Sequence, residues 1–301
     1  VTGYTCSPTT MAANTTAVTV SYSEGGVTKT TTTPVTVTSI SNTLASNSWA
    51  TIRAVSDAGK GSNYWSVGDA KGITINGKVG ATTFSNLAIS VFILGFNHNA
   101  SREGSNRIHF QIGKINGTLV GLVDGNYGNS TSTTGAFTMN TSYTNSGGWN
   151  NSHMRKTVLG SNSASATSPA ANTLLAALPA DLRAVMKPAT KYSDNTGGGS
   201  DTASYVTSTT DLLPLLSEFE YHGARSYANS AEKNYQAQYD YYKAGNSKVH
   251  YKHNATGTAA CAWCRSVYSS YSGSFCLVNT GGGAGISSAG GSWALAPCFF
   301  V

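Results

Sequence analysis

The strongest constraint on the fold lies in the last stretch of the chain, CAWCRSVYSSYSGSFCLVNTGGGAGISSAGGSWALAPCFFV, from Cys261 to Val301. Past Arg265 it carries no charge, and from Ser266 to Val301 it holds eight serines and seven glycines. Disordered tails of that polarity lack apolar side chains to bury. This one interleaves Phe275, Leu277, Val278, Trp293, Leu295, Phe299, Phe300 and Val301 with its small residues. It must therefore be ordered, with core positions alternating with small, adaptable ones. Tyr, Ser and Gly on a rigid frame also form a good contact surface, because Tyr supplies area at low entropic cost while Ser and Gly adapt. Contact residues are expected here.

The rest of the composition narrows the function classes. Charged residues make up 11% of the chain, against a usual quarter, while Gly, Ser, Thr and Asn are abundant. Such surfaces suit extracellular and virion proteins. The net charge of +6 is scattered, with no Lys/Arg run, which argues against a nucleic-acid interface. The longest apolar run, SNLAISVFILGF, is about half a membrane span, so no membrane insertion is expected. No secretory leader is recognised, and the abrupt start VTGYTCSPTT reads as a piece of a longer chain or a mature product.

Five cysteines leave at least one unpaired. Cys261 and Cys264 form a CxxC, but no second CxxC or HxxxH follows at a zinc-binding spacing. No strand-then-helix pattern of a redox site surrounds it either. The cysteines read as free thiols behaving as small apolar residues, and no metal or cofactor is expected.

Along the chain, Val18, Val20 and Tyr22 alternate with polar partners, Glu24-Gly25-Gly26 makes a turn, and Val27 to Thr38 resumes β-branched alternation. Trp49, Ile52 and Val55 take helical spacing up to Gly59. Ile73 and Ile75 alternate into Asn76-Gly77, a hairpin signal. Leu87 to Phe96 reads as a strand buried on both faces. RIHFQIG reads as a half-buried strand with His109 and Gln111 on its solvent side. His98 sits in a loop with Arg102 and Glu103. Residues 125–150 read as a long surface loop. Ser168-Pro169 is a helix start, followed by stripes at Leu174, Leu175, Leu178 and at Leu182, Val185, Met186. Ser230 is placed to cap a helix bearing Tyr235, Tyr239 and Tyr242 and ending at Gly245. Glu218 and Glu220 lie apart whether the chain is extended or helical, so a paired-acid mechanism has no support.

Several blocks together carry a resemblance. They are SWATIRAVSDAGKGSNYWSVGD, the run Leu87 to Ile112, WNNSHMRKTVLGS with LLAALPADLRAVM, TTDLLPLLSEFEYHG, and the closing AWCRS, FCLVN and ALAPCFFV. From Ser46 to Val301 the chain resembles C-type-lectin-like modules of gut bacteria and phages, of the formylglycine-generating-enzyme type. Many of these are variable proteins of diversity-generating retroelements. The hairpin AVTVSYSEGGVTKTTTTPVTVTS is similar to the C-terminal half of a bacterial immunoglobulin-like repeat. The resemblance implies an α+β fold: a lectin-like domain with much irregular loop over 43–301, after a partial Ig-like β spacer over 1–42. Family frame positions match at Trp263, Arg265, Ser266, Phe275, Cys276, Val278, Asn279, Ala296, Pro297, Phe299 and Val301. Ala262, Cys264 and Val267 depart from it.

In that family the last part of the gene, here about 261–301, is rewritten at adenines, which alters the binding face. Asn codons so rewritten cannot yield Trp, Met, Lys, Gln or Glu; from Ser266 onward the last four are absent and the only Trp is Trp293. The implied ligand-contact positions are Cys264, Val267, Tyr268, Ser270, Tyr271, Ser272, Gly273, Ser274, Gly285, Ile286, Ser287, Ser288, Gly290 and Ser292. Leu277, Cys298 and Phe300 are further exchangeable positions.

The expected function is non-catalytic recognition of a protein or glycan receptor, on a phage tail or a bacterial surface, with homo-oligomer formation left open. Two alternatives stand beside it. One is a formylglycine-generating-like oxidoreductase using Cys261 and Cys264, and the other is a structural decoration protein without a ligand.

Overall fold

The computed structural model describes residues 3–11, 15–35, 37, 39–131 and 134–301. The chain divides into two compact units, Val1–Asn42 and Thr43–Val301. The first is a three-stranded antiparallel meander of β1 (Tyr4–Ser7), β2 (Ala17–Glu24) and β3 (Val27–Pro34). Gly25 and Gly26 close the β2–β3 hairpin, both at positive φ, as a tight two-residue turn requires. β3 is exposed along its whole length. The expected continuation of this strand to Thr38 includes Thr36 and Thr38, which lie outside the described residues.

The second unit is α+β, with strand outweighing helix at 35% against 19% of the structure. Its longest helix, α1 (Trp49–Asp57), has nine residues, so sheets carry the core. Ser48 caps α1 by accepting a hydrogen bond from the Thr51 N–H, and Trp49, Ile52 and Val55 turn inward. No helix among the described residues is long and apolar enough to cross a membrane.

The main sheet contains β4 (Ala70–Val79), β5 (Thr82–Phe96), β6 (Ile108–Ile115), β7 (Thr118–Gly121), β10 (His250–Lys252) and β11 (Ala255–Ala260). Their order is β11-β10-β7-β6-β5-β4, and β15 (Cys298–Phe300) also pairs with β6. β8 (Ala189–Asp194) and β9 (Val206–Asp211) form a separate pair. A third sheet of this unit holds β12 (Ala262–Val267), β13 (Ser274–Val278) and β14 (Ala284–Ser288), with β13 central.

β5 is fully buried from Val91 to Leu94, as its unbroken apolar run requires. The Asn76-Gly77 signal does not turn the chain: β4 bulges there and reverses at Gly80-Ala81 instead. Val79, still facing the core, keeps the alternation going past the glycine.

β6 corrects the expectation of a half-buried strand. Both faces are covered, and His109 and Gln111 are fully buried. One face carries Phe110 against Trp49 and, stacked at 5.2 Å, Phe299 of β15. The other is sealed by tyrosines: His109 Nδ1 lies 3.0 Å from the Tyr239 hydroxyl. Gln111 Nε2 donates to Tyr221 Oη and the Ala296 carbonyl, and its Oε1 accepts from Tyr242. Its amide is satisfied, which removes the main cost of burying it.

Tyr235, Tyr239 and Tyr242 do not share the one helix expected of them. The segment breaks into a 3₁₀ turn, Ser230–Asn234, and a short helix, Asp240–Lys243. Between them the Gln236 and Gln238 amides donate to the Tyr192 and Tyr221 carbonyls, and the Tyr239 N–H to the Glu220 carbonyl. These long-range bonds hold the segment open. Ser168-Pro169 likewise starts no helix; the first turn begins at Leu174, capped by Thr173. Residues 125–150 are not simply a surface loop, because Ala136, Phe137, Met139, Asn145 and Trp149 are buried.

Candidate functional site

The C-terminal stretch is ordered throughout, and its core half rests on a buried ionic network. Glu220 is the hub. It completes a capping box with Ser217 at the start of the helix Glu218–His222. Its two oxygens also receive the Arg265 guanidinium as a fork and the Lys191 ammonium, the latter at 2.9 Å. Arg265 Nε donates to Ser193 Oγ, and its Nη1 to the Leu215 carbonyl. Lys191 bonds Glu103 and the Tyr239 hydroxyl as well. Burial opposes both charges of the Arg265–Glu220 pair, but their mutual attraction prevails, holding the carboxyl low and the guanidinium high. Burial also opposes the Lys191 charge, but Glu103 and Glu220 keep its ammonium above the ordinary lysine value. Burial pushes Glu232 up to about 7, against donors from the Asp194 N–H, Ser266 and Gln236.

His98, Glu103 and Glu220 place ligand atoms within 4.8 Å of one another, the donor set of a divalent-cation site. Lys191 Nζ, however, bonds both carboxylates and neutralises the pair. Burial, with Lys191 adding to it, depresses His98 to about 3, and its ring stacks on Tyr239 at 3.8 Å. These residues form a structural ion cluster in the interior. His98 does lie in a turn, as expected, but with its ring buried, and His109, expected on a surface, is fully buried 3.8 Å from Glu103.

The cysteines are free among the described residues. Cys264, Cys276 and Cys298 are buried in one apolar cluster. Burial pushes their thiols up, Cys298 to about 12. Cys261 is half-buried just ahead of β12, while Cys264 lies inside it. A spacing of three in extended chain sends the two side chains to opposite faces.

The outer half of the stretch is a turn and an edge strand. The turn linking β12 to β13 is clamped by Asn145, which is fully buried. Its Nδ2 faces the carbonyls of Tyr268, Tyr271 and Ser274, its Oδ1 accepts from the Gly198 N–H, and its own N–H donates to Ser272. Gly199, at φ +76°, lies so close that a Cβ there would sit 2.8 Å from the Ser272 nitrogen. Glu218 collects the N–H groups of Ser226, Tyr227 and Ala228, which fixes Tyr227 edge-on against Tyr268 at 5.6 Å. Asn279 Oδ1 accepts from Gly281 and Gly283 and shapes the β13–β14 hairpin.

The expected contact residues separate by burial. Ser270, Tyr271, Ser272 and Ile286 are exposed; Tyr268, Gly285, Ser287 and Ser288 are half-buried. Cys264, Val267, Gly273, Ser274, Gly290 and Ser292 lie in the interior, so they act as packing: Ser292, for instance, donates to Asp124 at 2.8 Å. Leu277, Cys298 and Phe300 are also buried. Ser287 points to Trp293, whose indole donates to it at 2.7 Å and meets Tyr127 edge-on. Sequence reading missed Asn145 and Tyr143, hidden in a polar loop. It also missed the Ser217–Glu220 box, whose S-x-x-E spacing was a usable signal.

Fold and site together define a mixed α+β domain with a closed ionic centre and an uncharged, Tyr/Ser/Gly-rich outer edge. Residues 130–301 match the family described as Domain of unknown function (DUF6273), and the chain belongs to that family. No curated protein matches the chain, and no solved structure does. The matched region includes β8 to β15 but not β4 to β7, although β10 and β15 are hydrogen-bonded to β7 and β6.

Proposed function

We propose that this chain is a non-catalytic recognition protein whose outer C-terminal edge binds a protein or glycan receptor. The observation that carries the reading is where large apolar side chains reach solvent. Among the described residues of the second unit, those exposed are Tyr143, Tyr271 and Ile286. Tyr271 and Ile286 belong to the C-terminal turn and edge strand, and Tyr143 belongs to the loop that Asn145 ties to that turn. Tyr271 and Tyr143 both lie against Gly273, and exposed apolar side chains brought together among polar neighbours suit an interaction site. Tyr anchors on a braced frame, with Ser and Gly between them, fit contact by a few dominant residues.

The contact set of the proposal is Tyr143, Tyr268, Ser270, Tyr271, Ser272 and Ile286. Its mode is differential binding without chemistry. The lectin-like module, the Ig-like spacer and display on a phage tail or bacterial surface belong to the same proposal, resting on the sequence resemblance. So does diversification of the edge. A near-copy of the terminal coding segment, differing only at adenines beside a reverse-transcriptase gene, is the expected genomic neighbour.

The test is flow cytometry of the labelled protein on a panel of bacterial cells, with an immobilised glycan array alongside. Wild type is expected to label some members, and a Tyr143→Ala/Tyr271→Ala variant to lose at least roughly tenfold in affinity at an unchanged melting temperature. Equal binding by the variant, or no binding on either panel, would sink the proposal.

A further inference from the structure

Away from the C-terminal sheet, a cleft of about 610 Å³ opens between the end of the helix Glu218–His222 and the segment running on to Lys243. That volume falls within the span of small-ligand sites. Its lining includes Arg225, Lys233 and Lys243 and no carboxylate. In a chain whose charges are otherwise scattered, this is a local concentration of one sign. The nearest counter-charge bonded to it is Asp201, whose Oδ2 accepts from Arg225 Nη1 at 2.8 Å and whose Oδ1 accepts from the Ser230 N–H. One carboxylate against three cations leaves two positive charges uncompensated. Among the described residues, the Lys233 and Lys243 ammonium groups have no ion-pair partner.

The remaining lining is of two kinds. Phe219 is 6% exposed and presents almost no ring face to the cleft. Gln238 lines it with its amide fixed, Nε2 donating to the Tyr221 carbonyl at 3.0 Å, while the Ser230 hydroxyl is engaged by the Asp201 carboxylate.

We propose that this cleft binds an acidic saccharide, one carrying carboxylate or sulfate groups. The guanidinium fork, oriented by Asp201, pairs with a planar or tetrahedral oxyanion. The two lysines supply diffuse attraction. The fixed Gln238 amide matches sugar hydroxyls. A nucleic-acid strand fits less well, because base stacking needs an open aromatic face and Phe219 shows almost none. No residue lining the cleft belongs to the C-terminal edge, so the two sites can be tested separately.

Isothermal titration with a heparin tetrasaccharide and with tetragalacturonate tests this, using maltotetraose and a short oligothymidylate as comparators. Both acidic tetrasaccharides are expected to bind, more weakly as salt is raised, while maltotetraose does not. Lys233→Gln/Lys243→Gln should raise Kd roughly tenfold or more without changing the melting temperature, since both side chains are exposed. Tyr271→Ala should bind the tetrasaccharides as wild type does. The proposal is overturned if neither acidic sugar binds, if the double lysine variant binds unchanged, or if maltotetraose binds equally well. Tighter binding of the oligothymidylate, or loss of sugar binding in Tyr271→Ala, would overturn it as well.

Discussion

β13 and β14 are neighbours in one hairpin, both uncharged, yet their surroundings are opposite. Every residue of β13 is buried, whereas β14 shows Ile286 at 39% exposure and leaves Ala284, Gly285, Ser287 and Ser288 half-covered. Cys276 of β13 and Ile286 of β14 are directly paired, but only the first is in the core cluster. Composition therefore does not decide which part of the tail is frame and which is face. What decides is the position in the sheet: β12 carries Arg265 of the buried network, β13 is covered on both sides by β12 and β14, and among the described residues β14 has no strand beyond it. A change in the frame should be felt as stability, and a change in the face as binding.

The largest test of that division is Arg265→Ala. It strands Glu220 beside a buried ammonium, and breaking a buried pair costs about 3–5 kcal/mol. Urea unfolding should show the loss, and a cost below about 1 kcal/mol would break the comparison on the frame side.

Acid should act on the same interior. Burial holds His98 at about 3 and His250 at about 4, against an ordinary 6.5. Unfolded chain binds more protons in that window, so this stability is present above pH 6.5 and lost as pH falls through the folded values. His250 alone contributes up to about 3 kcal/mol on this scale. Glu232 acts in the other direction. Its carboxyl, raised to about 7 from 4.5, stabilises fully below 4.5 and loses that contribution as pH rises through 7. A pH series of unfolding midpoints should therefore fall on both sides of a maximum. A flat profile between pH 4 and 7 would contradict the burial of these groups.

Asn145→Ala is next in size. It removes the clamp on the turn and leaves buried carbonyls without a donor, at about 1–3 kcal/mol. Amide exchange should speed up in residues 268–274 and not in β6. The smallest effect belongs to Tyr271→Ala, within about 0.5 kcal/mol of wild type but with receptor binding lost. A larger loss of stability would move Tyr271 from face to frame.

Parts of this arrangement were legible in the sequence because they are local. The Gly25-Gly26 turn, the α1 stripe, the buried run of β5 and the order of the tail all follow from short-range pattern. The misreadings share one cause. His109 and Gln111 alternate with apolar neighbours as solvent-facing residues would, yet their partners Tyr239, Tyr221 and Tyr242 lie more than a hundred residues away. Alternation tells which residues share a face, not what covers it. Tyr235, Tyr239 and Tyr242 had helical spacing, but side-chain amides bonded to distant carbonyls outweighed it. Asn145 was invisible for the same reason: in a run of Asn, Ser, Thr and Gly, nothing local distinguishes the one asparagine that closes a turn 123 to 129 residues further on.

The pairing of β15 with β6 has a consequence for synthesis. Phe110 and Phe299 lie side by side in the finished sheet but leave the ribosome far apart in time. At about 5–20 residues per second, the exposed edge of β6 waits on the order of ten to forty seconds for its partner strand. During that interval an apolar strand edge is open to whatever else is nearby. A nascent chain of this protein should therefore depend on holding factors until its last strand emerges.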